Sequence, residues 1–220
     1  MTLDSLDTVP RDREPLISLV LYHLFKWSVV APALHSYFQG RIYGAEGIPR
    51  QRRLLVVSNH ASDFDPVLLS CAVGRPVAYM AKEELFRVPV LKQAIQAYGA
   101  YPVKRGSADR SAMKAAIASI ESGWATGVFL DGTRTSDGRI HEPKLGAAWI
   151  AAKTNSPLLP VSLWGTQHIF QKGSALPRPA RITIRIGELV APPQTSDRAT
   201  LEAVTQRCAN VINSLLDLGR

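Results

Sequence analysis

Cysteine is scarce. Cys71 and Cys208 are far apart and form no CxxC pair, which argues against a disulfide framework and for a reducing compartment. Cys208 falls on the apolar stripe of a predicted helix, where a thiol packs as an inert small hydrophobe. Aromatics make up only 7% of the chain. With no RNP-like, zinc-finger or helix-turn-helix pattern, nucleic acid is not the expected partner. No GxSxG motif is present, which excludes a serine nucleophile elbow. Acid is in deficit, with 18 Asp+Glu against 26 Lys+Arg and a net charge of +8. An excess of base fits anionic lipid headgroups or phosphorylated small molecules.

A typical signal peptide is also missing: MTLDSLDTVPRDRE is polar, and no small-residue cleavage site follows in the expected place. Long apolar runs are limited to one. PLISLVLYHLFKWSVVAPAL, residues 15–34, has the length of a membrane span but carries His23 and Lys26 near its middle. A charge at a bilayer centre costs on the order of 3 kcal/mol. The expectation is a helix lying in or dipping into one leaflet at the cytoplasmic face, with Lys26 snorkelling to the headgroups. An ordinary buried helix is the competing reading.

Beyond this segment, strand-like and helix-like patterns alternate. LLVV (54–57), VAYM (77–80), AYPV (100–103) and GVFL (127–130) read as short buried strands, and LLPVSLWG (158–165) as a strand broken by Pro160. RITIRI (181–186) alternates as an exposed or edge strand does. Helices are expected after the first strand through PVLLSCAV, from Pro89 to Gly99, from a cap at Ser107 or Asp109 through Met113, Ala116, Ile117 and Ile120, and over 146–154. The last should bury Leu201, Val204, Cys208, Val211, Leu215 and Leu218. The fold class is α/β: a largely parallel central sheet with helices on both faces. Residues 1–40 form a polar start plus a membrane-associating helix, and residues 41–220 form one α/β domain.

In such sheets, chemistry gathers where strands hand over to helices. SNHASDFDP (58–66) places His60, Asp63 and Asp65 at such a point. An imidazole there can take a proton from an alcohol if a carboxylate fixes its tautomer, and Asp65 can fold back across the turn to do so. Asp63 is placed to cap the following helix. His60 with both aspartates would also suit a divalent cation, although no second tight His/Asp/Glu cluster supports it. Plain turn and cap roles for Asn59, His60 and Asp63 are a further alternative. Two other strand ends carry charge: Lys104 and Arg105 in GAYPVKRG, and Gly132, Thr133 and Arg134 in FLDGTRT. Glycine admits close anion approach and arginine grips phosphate in bidentate fashion.

This ordered triplet resembles the lysophosphatidate acyltransferase family, the 1-acylglycerol-3-phosphate O-acyltransferases. NHASDFDP matches the family's NHxxxxD block at His60 and Asp65. GAYPVKRG is similar to the second block, closed by Arg105, and FLDGTRT to the third, usually written FPEGTRS. LLPVSLWGT resembles the fourth, with Pro160 at its proline, and PKLGAAWIA the lysine-glycine segment that follows the third block. The matches span residues 54 to 166. Leu130 stands where proline is usual and Asp131 where glutamate is usual; Lys104 stands where an acidic residue is frequent.

The resemblance implies transfer of a fatty acyl group from acyl-CoA or acyl carrier protein to the sn-2 hydroxyl of lysophosphatidic acid, giving phosphatidic acid, with no cofactor and no metal. His60 is then the general base and Asp65 its orienting partner. Lys104, Arg105, Asp131, Gly132, Thr133 and Arg134 bind the acceptor, and a membrane surface is the working partner. A direct transfer within a ternary complex is expected rather than an acyl-enzyme. The same chemistry on glycerol-3-phosphate, dihydroxyacetone phosphate or a lyso-aminolipid stays open because of Asp131. A metal-dependent hydrolase and a non-catalytic lipid-binding module are the rival classes.

Overall fold

The structure is a computed structural model that describes residues 14–49, 53–82, 86–87, 95, 100–103, 110–170 and 176–220. The helix expected from Pro89 to Gly99 and the caps at Ser107 or Asp109 lie outside these residues, apart from Ile95.

Strand β2 (Leu54–Ser58) is buried along its whole length, which is why it reads as an unbroken apolar run. It pairs in parallel with β6 (Ala125–Phe129) on one side and β7 (Leu158–Trp164) on the other. The sheet extends to β3 (Val77–Ala78) beyond β6, and to β8 (Thr183–Ile186) and β1 (Arg41–Tyr43) beyond β7. Among the described strands of this sheet, only the β7–β8 pair is antiparallel. The run VAYM divides at Tyr79, so that β3 joins the main sheet while β4 (Met80–Lys82) pairs with β5 (Tyr101–Val103).

Alternation along β2 builds two cores. Leu54 and Val56 pack with Val30, Ala31 and Leu34 of the N-terminal helix and with Leu68 and Leu69 of α2 (Asp65–Val73). Leu55 and Val57 pack with Ala116 and Ile120 of α3 (Arg110–Glu121), Ile150 of α4 (Gly146–Thr154) and Cys208 and Ile212 of α5 (Arg198–Asp217). Each of the Leu, Ile and Val side chains contributes about 1.5–3 kcal/mol by leaving water. Helices thus cover both faces, and the mostly parallel sheet is the expected one.

Three expectations are corrected. Pro160 does not break β7. Its carbonyl accepts from Gly187, beyond the last β7–β8 pair at Val161 and Ile186. The missing proline N–H shares that side, so only the reciprocal bond to Gly187 is absent, at the end of the β7–β8 ladder, and the pairing with β2 is kept. RITIRI does not supply an edge: β8 lies between β7 and β1, and β1 takes the edge. Arg185, one of its polar positions, lies over the Tyr43 ring and donates to the carbonyl of Gly219. On α5 the buried positions are Leu201, Thr205, Cys208, Ala209, Ile212 and Leu216. Val204, Val211 and Leu215 flank this face, and Leu218 is exposed.

The N-terminal helix runs for 22 residues, Leu16–Tyr37: an α-helical part, α1 (Leu16–Phe25), followed by two π turns over Lys26–Val30 and Ala33–Tyr37. The turns flank Pro32, which has no N–H for a regular helix bond. Its start is fixed by buried Glu14, which accepts from Arg75 and from the backbone of Ala125 at the head of β6. Tyr22 donates to the carbonyl of Ser70 in α2 at 2.7 Å. Its other end places Phe38 edge-on to Phe64. Lys26 does not reach away from the protein. Its amine lies 5.2 Å from the centre of the Trp27 ring and 5.8 Å from that of Tyr22, beside the Gly74 end of α2, where helix carbonyls favour a cation.

Candidate active site

Ser58, the last residue of β2, is paired with Phe129, the last of β6, so the chain leaves both strands at the same end of the sheet. The Leu130 N–H donates to the Ser58 carbonyl and that of Thr135 to the His60 carbonyl, at 3.0 and 2.8 Å. These bonds hold the loop after β6 against the loop after β2. Asn59 adds a third tie. Its amide donates to the carbonyls of Gly138 and Leu163, and its oxygen accepts from the Leu163 N–H. Asn59 is fully buried, and it joins the ends of β2 and β7 to the loop after β6. The sequence reading had offered it only a turn or cap role.

Within this frame, Nδ1 of His60 lies 2.8 Å from Oδ2 of Asp65. The same oxygen accepts from the N–H groups of Ala61 and Ser62 at 2.7 and 2.8 Å. Asp65 opens α2, followed by Pro66, whose ring suits the first helical turn. The carboxylate therefore turns back over the loop and gathers three donors on one oxygen. Its side chain is fully buried, whereas that of His60 is 18% exposed. An ionised carboxylate only accepts, so Nδ1 carries a proton, and in the neutral imidazole the lone pair is then on Nε2.

The face of the imidazole rests on Phe129, with ring centres 3.9 Å apart and planes 12° from parallel. Phe129 in turn stacks on Tyr79 at 5.5 Å. Burial, then the neighbouring Asp65 and Tyr101, push the Tyr79 phenol well above the usual tyrosine value. Phe129 was read as part of the strand GVFL and as the first residue of the third block, FLDGTRT, with no role of its own.

Asp63 does not cap α2, which has no side-chain cap. Instead, Arg134 donates to its carboxylate across the gap between the two loops. His60, Asp65 and Arg134 are thus brought together. Gly132 has φ +69° and forms a turn with the Phe129 carbonyl, while Thr133 is exposed beside it. Asp131 is buried and faces inward. Its Oδ1 accepts from the N–H groups of His141 and Glu142 at 3.2 and 2.9 Å, so it closes the loop rather than projecting beside Thr133. Lys104 and Arg105, which follow β5, lie outside the described residues. Among the described residues no three His, Cys, Asp or Glu side chains converge as a metal ligand set.

A family model described as "Acyltransferase" matches residues 39–164. The chain is 32% identical over 151 residues to 1-acyl-sn-glycerol-3-phosphate acyltransferase BAT2 of Brassica napus, covering 67% of this chain and 43% of that protein. It is 31% identical over 134 residues to a 1-acyl-sn-glycerol-3-phosphate acyltransferase of Borreliella burgdorferi, covering 60% and 53%. These alignments span about half the length of each relative. A similarly named protein of Bacillus subtilis is 28% identical, with 80% and 89% covered. The crystal structure of the LPA acyltransferase PlsC of Thermotoga maritima superposes with a TM-score of 0.68 at 25% identity, covering 91% of this chain and 95% of that one.

Proposed function

This chain belongs to the acyltransferase family, and from that premise we propose that it moves a fatty acyl group from a thioester to the sn-2 hydroxyl of lysophosphatidic acid. The observation that carries the reading is the His60–Asp65 pair, 2.8 Å apart at the exit of β2 and bonded through the His60 carbonyl to the loop that bears Arg134. With Nδ1 held by Asp65, Nε2 takes the acceptor's hydroxyl proton as the oxygen attacks the thioester carbonyl. Asp65 supports the imidazolium that forms. Collapse of the tetrahedral intermediate expels the thiolate, and His60 returns the proton to it. Both substrates are bound together, which removes several kcal/mol of encounter entropy from the barrier.

Arg134 binds the acceptor phosphate, with Thr133 and the Gly132 turn beside it; Lys104 and Arg105 complete the anion site. Asp131 shapes the loop through the backbone of residues 141 and 142, so its difference from glutamate bears on loop shape. The donor is acyl-CoA or acyl carrier protein, and no cofactor takes part.

The N-terminal helix seats the protein on the bilayer. Leu16, Val20, Leu24 and Trp27 are 80%, 61%, 66% and 66% exposed, and Lys26 is turned toward α2, so its charge does not oppose burial of this face in lipid. The reading is tested with purified protein, offered lysophosphatidic acid, glycerol-3-phosphate, dihydroxyacetone phosphate or a lyso-aminolipid with each donor in turn. Phosphatidic acid as the dominant product is expected. Preference for another acceptor overturns the substrate assignment, and hydrolysis abolished by a chelator overturns the reaction class.

A further inference from the structure

The Asp65 carboxylate holds one edge of the His60 ring, and Phe129 holds one face. The stack is close and nearly parallel, at 3.9 Å and 12°, so the π cloud of Phe129 lies directly against the imidazole. Behind it, Tyr79 is 17° from parallel with Phe129, which makes a column of three rings from the core to the site. The sequence is shaped around this column. A Cβ at Gly127, in the middle of β6, would fall 2.0 Å from the Tyr79 ring. Glycine inside a strand weakens it unless another group approaches closely, and here the Tyr79 ring does. Burial first, then Asp65 and Tyr101, push the Tyr79 phenol well above the usual tyrosine value, so the two rings beneath His60 stay uncharged.

We propose that Phe129 is a positioning residue acting through His60: its π face fixes the ring plane and stabilises the imidazolium formed when the acceptor proton is taken. A flat cation over an aromatic face is attracted by the ring quadrupole, and the attraction grows where water is excluded. Neutral imidazole gains little from that field, so the benefit falls on the step in which the proton moves. The inference rests on His60 being the base.

The test replaces Phe129 with 4-fluoro-, 3,5-difluoro- and 3,4,5-trifluorophenylalanine, which nearly preserve shape while draining the π face. The reading is the single-turnover rate of acyl transfer, with KM for both substrates and the unfolding temperature measured alongside. A stepwise fall of roughly tenfold across the series, with KM and unfolding temperature steady, is expected. Phe129→Leu, apolar but without a π face, should lose at least as much rate at unchanged KM, and Phe129→Trp should keep most of it. A flat rate across the fluorinated series, with His60→Ala inactive, overturns the role of Phe129 and leaves the base assignment standing. Activity retained by His60→Ala overturns both.

Discussion

Arg134 donates to the carboxylate of Asp63, three residues beyond His60, so an arginine of the candidate acceptor site is held by an acid from the histidine motif. Both side chains are largely in water, and such pairs contribute about 1 kcal/mol or less. If Arg134 binds the acceptor phosphate as proposed, the phosphate would displace Asp63 at that small cost. Asp63→Asn should therefore lower the KM for lysophosphatidic acid by about fivefold or less, with kcat unchanged, while Arg134→Ala raises it. A higher KM in Asp63→Asn would show that Asp63 itself helps to bind the acceptor.

Asp65→Asn keeps an oxygen for the Ala61 and Ser62 N–H groups and for Nδ1–H but removes the negative charge that supports the imidazolium. Turnover should fall on the order of 10³–10⁴-fold, with little change in KM or unfolding temperature. A loss smaller than tenfold would remove Asp65 from the mechanism.

Asn59→Ala strands three buried backbone groups, two carbonyls and one N–H. The expected loss is about 3 kcal/mol in urea unfolding. A change below 1 kcal/mol would mean that the strand ends are held without it.

Burial raises the Cys208 thiol to about 12 and also lifts Cys71. A thiol is reactive as thiolate, so neither should be alkylated at pH 8 in the folded protein, and both should be after unfolding. The sign for stability follows: the folded form favours protonated thiols, so their contribution is complete below the unfolded value of 9.0 and declines as pH rises above it. Rapid alkylation of the native protein contradicts the packing described.

Leu16→Ser, Val20→Ser and Leu24→Ser together should release the protein from anionic vesicles in a flotation assay. Turnover of a short-chain, water-soluble acceptor should persist. Unchanged flotation would place the membrane contact elsewhere.

Much of this fold was legible because β2, β6 and β7 are buried on both sides, and continuous apolar runs such as LLVV announce that. The separation of His60 and Asp65 was legible for a local reason: five residues that include a helix start let a carboxylate fold back on the ring. What escaped depends on partners distant in sequence. RITIRI alternates like an edge strand, and nothing local indicates that three residues, Arg41–Tyr43, come to cover it. Pro160 looks like a strand breaker until the side that its N–H would face is known. Lys26 looks exposed on a helical wheel, but the Gly74 end of α2 supplies its place. Asp63 and Arg134, 71 positions apart, and the stack of Phe129 on His60 follow from the register Ser58 to Phe129, which only pairing fixes.

The most direct measurement is the single-turnover rate of acyl transfer by His60→Ala, mixed rapidly with a labelled acyl thioester and saturating lysophosphatidic acid. The expected result is a fall of at least roughly 10³-fold, with acceptor binding and unfolding temperature unchanged. Transfer within tenfold of the unaltered protein would contradict it and assign the proton transfer to another group.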